Sequence, residues 1–151
     1  MSSEELTTRA RRMVEEVLNQ GDLAVAHELI SPDCVHHFPG QVLAPGTAGV
    51  RDWLSQAHHI FPDFHALVER EFAADHQVAQ LITGYGTHAG EFLGIAPTGR
   101  QVAFTIIGIS RAGPDGRFTE HWWVADLLSV LRQLGMTGVP VTGPSGSQGV
   151  R

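Results

Sequence analysis

The feature that most restricts what this chain can fold into is a change of hydrophobic rhythm near residue 64. Before it, apolar residues recur at helical spacing; after it, they alternate with a period of two. Leu6, Ala10, Met13, Val14, Val17 and Leu18 mark a first helix running to Gly21, and Ser2 with Glu5 has the form of a capping box at its start. Asp22 is placed to cap a shorter helix carrying Leu23, Ala26, Leu29 and Ile30. Pro32 stops it, because the residue before a proline is pushed out of the helical region. A brief strand, CVHHF, and a loop rich in glycine and proline follow. Thr47 is the expected cap of a third helix, whose stripe of Val50, Trp53, Leu54, Ala57 and Phe61 ends before Pro62.

Beyond the switch, Phe64, Ala66 and Val68 alternate with His65, Leu67 and Glu69, and a polar turn near Asp75 leads into QVAQLITGYGTH. QVAFTIIGISR reads as a strand apolar on both sides, and Asp115 with Gly116 marks the next reversal. The last strand, EHWWVAD, runs into a short helix that Gly135 ends. Helices first and long strands second is the pattern of an α+β domain. The expectation is a strongly curved antiparallel sheet forming a cone closed by the N-terminal helices over residues 1–135, with a flexible tail over 136–151. Such a cone encloses a natural ligand cavity, of the size (about 300 to 1,000 Å³) usual for small-molecule sites.

Composition excludes several functions. The 16 acids against 10 basic residues, all arginine, give a net charge of -6, which argues against a phosphate-backbone partner. Cys34 stands alone, so neither an intramolecular disulfide nor a Cys-based zinc site is expected. The N-terminal MSSEELTTRARRMVEE lacks the apolar run of a signal peptide, and no run of about 18 apolar residues exists to span a membrane. A cytoplasmic protein is the expectation.

The stretch EHWWVAD carries the most chemistry. Strand alternation puts Phe118, Glu120, Trp122, Val124 and Asp126 on one face and Thr119, His121, Trp123 and Ala125 on the other. If the first face looks into the cavity, Asp126 is a poorly hydrated carboxyl, suited to accept and return a proton. If not, Asp126 caps the following helix, a role aspartate fills well. The second face, with His121 and Trp123, is then a surface for a partner subunit.

FPDF at 61–64, GYGTHAGEFLGIAPTGRQV at 84–102 and DGRFTEHWWVADLLSVLRQLG at 115–135 resemble the SnoaL-like polyketide cyclase family. That family lies within the superfamily of cone-shaped α+β domains that includes nuclear transport factor and scytalone dehydratase. The resemblance implies a pocket that needs no cofactor, frequent homodimers or higher oligomers, and a polycyclic polyketide-like substrate. In the cyclases an aspartate ending a Trp-x-x-x-Asp strand is the acid/base of an intramolecular aldol ring closure, and Trp122 with Asp126 matches that motif. Some SnoaL-like proteins belong instead to hydroxylation systems with a reductase partner. A ketosteroid-isomerase-like proton transfer, with Asp33 or Asp126 as base and Tyr85 as donor, and a non-catalytic binding module are the remaining readings. An epoxide hydrolase, which uses an Asp-Arg-Asp arrangement, ranks lower because the later strands supply Asp126 without an obvious second aspartate.

Asp126 is therefore the expected proton shuttle, and His88, on the strand face that Gly84 and Gly86 leave open, the expected polariser of a substrate oxygen. Trp122, Trp53, Phe61, Tyr85 and Phe92 are the candidate stacking walls. Adjacent on one strand, His36 and His37 point to opposite faces, so one of them enters the pocket. Glu120, on the face of Asp126, is expected at the rim, paired with an arginine such as Arg100 or Arg111; the alternative is that it converges with Asp126 on the pocket as a substrate-binding acid. The sequential histidine pairs 36/37 and 58/59 do not converge, so no metal site is expected.

Overall fold

The computed structural model describes residues 1–137. Four helices and five of the six strands follow the order the hydrophobic rhythm predicts, and the sixth, a two-residue strand at Gln41–Val42, lies in the stretch expected to be a loop. Helix α1, Ser3–Arg12, starts at the Ser2/Glu5 capping box and continues as a π-helical segment, Met13–Leu18. Its exit is tied to the sheet by Asn19, whose amide donates to Ala66 O (2.8 Å) while its oxygen accepts from Ala66 N (2.7 Å). Helix α2, Leu23–Leu29, is capped by Asp22. Helix α3, Gly46–Ile60, begins at Pro45 and not at Thr47, whose hydroxyl is instead turned to His27 (3.2 Å).

The strands are β1 (Ile30–Phe38), β2 (Gln41–Val42), β3 (His65–Ala74), β4 (Gln77–Thr87), β5 (Gln101–Ala112) and β6 (Phe118–Ala125). Helix α4, Leu127–Gln133, follows with Gly135 at φ 98° beyond its end. The expected brief strand CVHHF is longer than foreseen: β1 starts at Ile30 and carries Pro32 through, on a segment whose register to its neighbour shifts between Ile30 and Val35. A bulged edge of this kind is where a proline is tolerated in a sheet. The sheet order is β2-β1-β6-β5-β4-β3, with all neighbours antiparallel except β1 and β6, which run parallel. It is one curved sheet that does not close on itself. The expected 136–151 tail begins with Met136 and Thr137, and the rest of it lies outside the described residues.

The core lies between the sheet's concave face and the helices. Val14, Val17, Leu29, Ile82, Ile106, Phe118 and Val130 are all essentially inaccessible there. On β4 the burial alternates strictly, with Val78, Gln80, Ile82, Gly84 and Gly86 inward, and His88 just beyond its end continues the pattern. The opposite, convex face exposes Leu67, Ile107, Ile109 and Val124. The sheet thus has two apolar faces, of which the described residues cover one.

Candidate active site

The inward side of β6 decides what the cavity contains. A register shift between Arg111 and Ala112 on β5 lets Phe118 and His121, three residues apart, both point inward. From His121 the strand alternates normally, so His121, Trp123 and Ala125 face the helices while Glu120, Trp122 and Val124 face away. The face expected to line the pocket is therefore the convex one, and the face expected to meet a partner lines the pocket. Strand β1 lies beside β6 with His36 opposite His121, and the inward residues of β1 are Cys34, His36 and Phe38.

A cleft opens between these strands and the helices. The π-helical segment supplies Met13, Val14 and Leu18. The α3 side supplies Leu43, Gly49, Val50 and Trp53, and the sheet supplies His36, Phe38, Gln80, Ser110, His121 and Trp123. A π turn in a helix wall often marks a functional site, because it swings side chains out of α-helical phase. Trp53 stands edge-on to Trp123 at 5.6 Å between ring centroids, with Phe38 against both. The cleft's free volume is about 50 Å³. The cleft is narrower than expected and suits a single ring, or the reacting end of a longer molecule that continues through the mouth.

Its polar groups form an ordered chain. The Gly46 carbonyl can only accept, so His36 Nε2 carries a hydrogen and donates to it at 2.8 Å. In the neutral ring His36 Nδ1 is then a lone pair, and the proton in the 3.3 Å contact between the two Nδ1 atoms sits on His121. That leaves His121 Nε2 as a bare lone pair with no partner among the described residues. Among the described residues the only sealed side-chain atom without a partner is His88 Nε2, so the free nitrogen of His121 is reached from the cleft. Burial, with His36 as a second cause, pushes the His121 imidazole down to about 3, and burial also lowers His36. Both rings are neutral at ordinary pH. Cys34 Sγ lies 3.9 Å from His121 Nδ1, and burial, helped by the charge of Glu120, pushes its thiol up to about 12. Ser110, paired in register with His121, and Gln80 add further hydrogen-bonding groups to the cleft wall. Gln80 Nε2 is occupied by Glu71 at 3.2 Å, which in turn pairs with Arg11.

The sequence candidates distribute themselves unevenly. His36 and Trp53 are in the cleft. His37 touches its edge, yet its ring turns to the convex face, where Nε2 meets Glu120 at 2.8 Å and the ring stacks on Trp122 at 5.2 Å. Glu120 also accepts from Arg111 at 2.9 Å, the pairing foreseen for it, and Arg111 lies over the Trp122 ring. Tyr85 is on the convex face too, stacked on His65. Phe61 and Phe92 pack with Phe104 in the core outside the cleft.

The two expected catalytic groups lie outside the cleft. Asp126 is exposed, and its carboxylate accepts from Ser129 N at 3.1 Å as the cap of α4; it does not line the cleft. His88 is fully buried but stands apart from the cleft beside Phe61. Its Nδ1 accepts from Thr98 N at 3.1 Å, so its Nε2 bears the hydrogen that finds no partner. What sequence reasoning missed is His121 with Trp123, Ser110, Gln80 and the π-helical wall. The signal was present in the alternation, which put His121 and Trp123 on one face, but alternation does not say which face is inside.

Residues 8–134 match the family model for SnoaL-like polyketide cyclase. No curated protein matches the chain. Among solved structures, AclR from Streptomyces galilaeus, a proposed hydroxylase, shares 31% identity over 92% of this chain and 91% of its own, with a TM-score of 0.78. IdmH from Streptomyces antibioticus, a proposed polyketide cyclase, shares 34% identity over 87% of this chain and 99% of its own, with a TM-score of 0.74. TsrD from Streptomyces laurentii, at 24% identity over 89% and 98% and a TM-score of 0.78, shares the fold. With that span of sequence matched and the same curved sheet beneath it, the chain belongs to the SnoaL-like polyketide cyclase family.

Proposed function

We propose that this protein is a cofactor-independent enzyme that closes a ring in a polyketide by intramolecular aldol addition, with His121 as the proton carrier. The observation that carries the reading is the single free lone pair of His121 Nε2, held at the aromatic wall of a cleft by a chain of hydrogen bonds ending on the Gly46 carbonyl. Nε2 takes a proton from a methylene between two carbonyls. The resulting enolate carbon attacks a ketone of the same molecule, forming the ring bond and breaking the C=O π bond. The alkoxide then recovers the proton from Nε2–H, so the product is an isomer of the substrate.

The cleft lowers the barrier chiefly by holding the two ends together. Burial keeps the imidazole neutral, so it gains a proton only as an anion forms beside it, and the pair of charges appears and disappears together. Trp53 and Trp123 bound the space for the forming ring, and the Ser110 hydroxyl is the donor available to an enolate oxygen. The test is to incubate the protein with a panel of linear β-polyketone substrates and follow loss of the β-diketone absorbance. Ring-closed isomer from wild type but not from His121→Gln is the expected result, and no turnover across the panel removes the reading.

The likeness to AclR favours one other activity, hydroxylation of a polycyclic polyketide together with a reductase partner. It differs in one readout: oxygen is consumed in hydroxylation and untouched in ring closure. The exposed apolar residues of the convex face support a homodimer in either case.

A further inference from the structure

Cys34, His36 and His121 meet where β1 pairs with β6, and one donor atom from each lies within 4.8 Å of the others. We propose that these three side chains form a binding site for a zinc-class divalent cation. In tetrahedral sites a cation sits about 2.0–2.1 Å from imidazole nitrogen and about 2.3 Å from thiolate sulfur, which places two nitrogens about 3.3 Å apart and sulfur and nitrogen about 3.6 Å apart. The His36 and His121 Nδ1 atoms are already 3.3 Å apart, and Cys34 Sγ is 3.9 Å from His121 Nδ1. A few tenths of an ångström at the thiol complete that edge.

The surroundings are those of a metal-ligating histidine. His36 donates its other ring hydrogen to the Gly46 carbonyl at 2.8 Å, the outer contact that fixes the tautomer and leaves Nδ1 free to ligate. Cys34 and His121 are buried on paired strands, so the donors are held by a sheet and not by mobile loops. Ligand type selects the cation: one thiol and two imidazoles suit zinc and its neighbours, and exclude magnesium and calcium, which need oxygen. Binding converts Cys34 S–H to thiolate with release of one proton, and the proton shared between the rings moves from His121 Nδ1 to Nε2. His36 and His37 are sequential and diverge; the convergence comes from His36 with His121, which only the strand pairing brings together.

The site stands on this cluster alone and does not depend on the proposed reaction. If that reaction is right, the cation also turns His121 Nε2 from a proton acceptor into a donor, and ring closure stops. The test is to titrate chelator-treated protein with Co²⁺, a coloured stand-in for Zn²⁺. The expected result is a thiolate-to-cobalt charge-transfer band with tetrahedral d–d absorption, saturating at one equivalent and displaced by Zn²⁺. Cys34→Ala, which fits the space of the thiol, should abolish the charge-transfer band, and His36→Gln should weaken binding roughly 10-fold to 100-fold or more. Circular dichroism confirms that both variants fold. Absence of the band in wild type, or equal cobalt uptake by wild type and Cys34→Ala through surface histidines, overturns the proposal.

Discussion

The two faces of β6 are built from nearly the same residues and do opposite things. Inward, His121 and Trp123 stand in the cleft with His36, Trp53 and Ser110. Outward, Trp122 is sandwiched between the His37 ring and the Arg111 guanidinium, with Glu120 bonded to both of those partners. Each face has a tryptophan and a histidine contact, and the inner one turns the free His121 Nε2 lone pair into the cleft. On the convex face His37 and Arg111 are half exposed and both bond Glu120, and such exposed pairs contribute little. The difference teaches that a catalytic candidate is recognised by the hydrogen-bonding capacity that remains after the fold is satisfied, and not by residue type.

The strongest way to break this comparison is to remove the unspent atom. His121→Gln keeps a polar side chain of similar length but no basic nitrogen, and kcat for ring closure should fall roughly 100-fold or more, with a small change in KM. The corresponding change on the outer face, Trp122→Phe, should leave kcat within about twofold of wild type, since acceleration needs contact with the reacting atoms. Equal losses for the two variants, measured side by side with circular dichroism spectra unchanged, would erase the distinction.

The second test works through the backbone that seats His36. A Cβ at Gly49 would stand 2.0 Å from Ala44 O and 2.9 Å from His36 Cδ2, so Gly49→Ala must displace either the backbone or the ring. The expected cost is about 1–3 kcal/mol, read as a melting temperature lowered by roughly 2–4 °C per kcal/mol. Turnover should fall as well, because the displaced ring is the one that holds the proton of His121. A variant as stable and as active as wild type would show that the His36 contact is dispensable.

On the convex side, Ile107 and Val124 are cross-strand partners and are 53% and 57% exposed, which marks the apolar patch proposed as the homodimer surface. Val124→Glu places an unpaired charge in that patch, so light scattering should show monomers while kcat stays within about twofold of wild type. A wild type that is already monomeric, or a variant that stays dimeric, removes the patch as an interface.

Much of this was legible in the chain, and the misreadings have a common cause. The Ser2/Glu5 box, the Asp22 cap, the turn at Asp75, the reversal at Asp115 and Gly116 and the stop at Gly135 each depend on neighbours within a few residues, and each is found in the structure. The alternation of β6 was legible too. Its inside was not, because Trp122 and Trp123 give the same apolar signal, and because the register shift on β5 buries Phe118 together with His121 against simple parity. The pairing of β1 with β6 is the longest step: His36 and His121 are 85 residues apart and adjacent only in the folded sheet. The π-helical segment that walls the cleft has no marker distinct from an amphipathic helix in this sequence.

Asp126 gives the smallest expected effect and the sharpest check on which face matters. Its carboxylate accepts one hydrogen bond, from Ser129 N, and its backbone N–H donates to Thr105 O, so its work is at the junction of β6 and α4. Asparagine caps helices about as well as aspartate, so Asp126→Asn should change neither kcat nor melting temperature beyond small amounts. Asp126→Ala removes the cap and should cost about 1 kcal/mol with kcat again unchanged. A carboxyl that shuttled protons would behave the other way, since the amide in Asp126→Asn keeps the cap and cannot be a base. A 100-fold loss in that one variant, with stability intact, would return the chemistry to the tail of the strand and require the helix α4 junction to open for substrate.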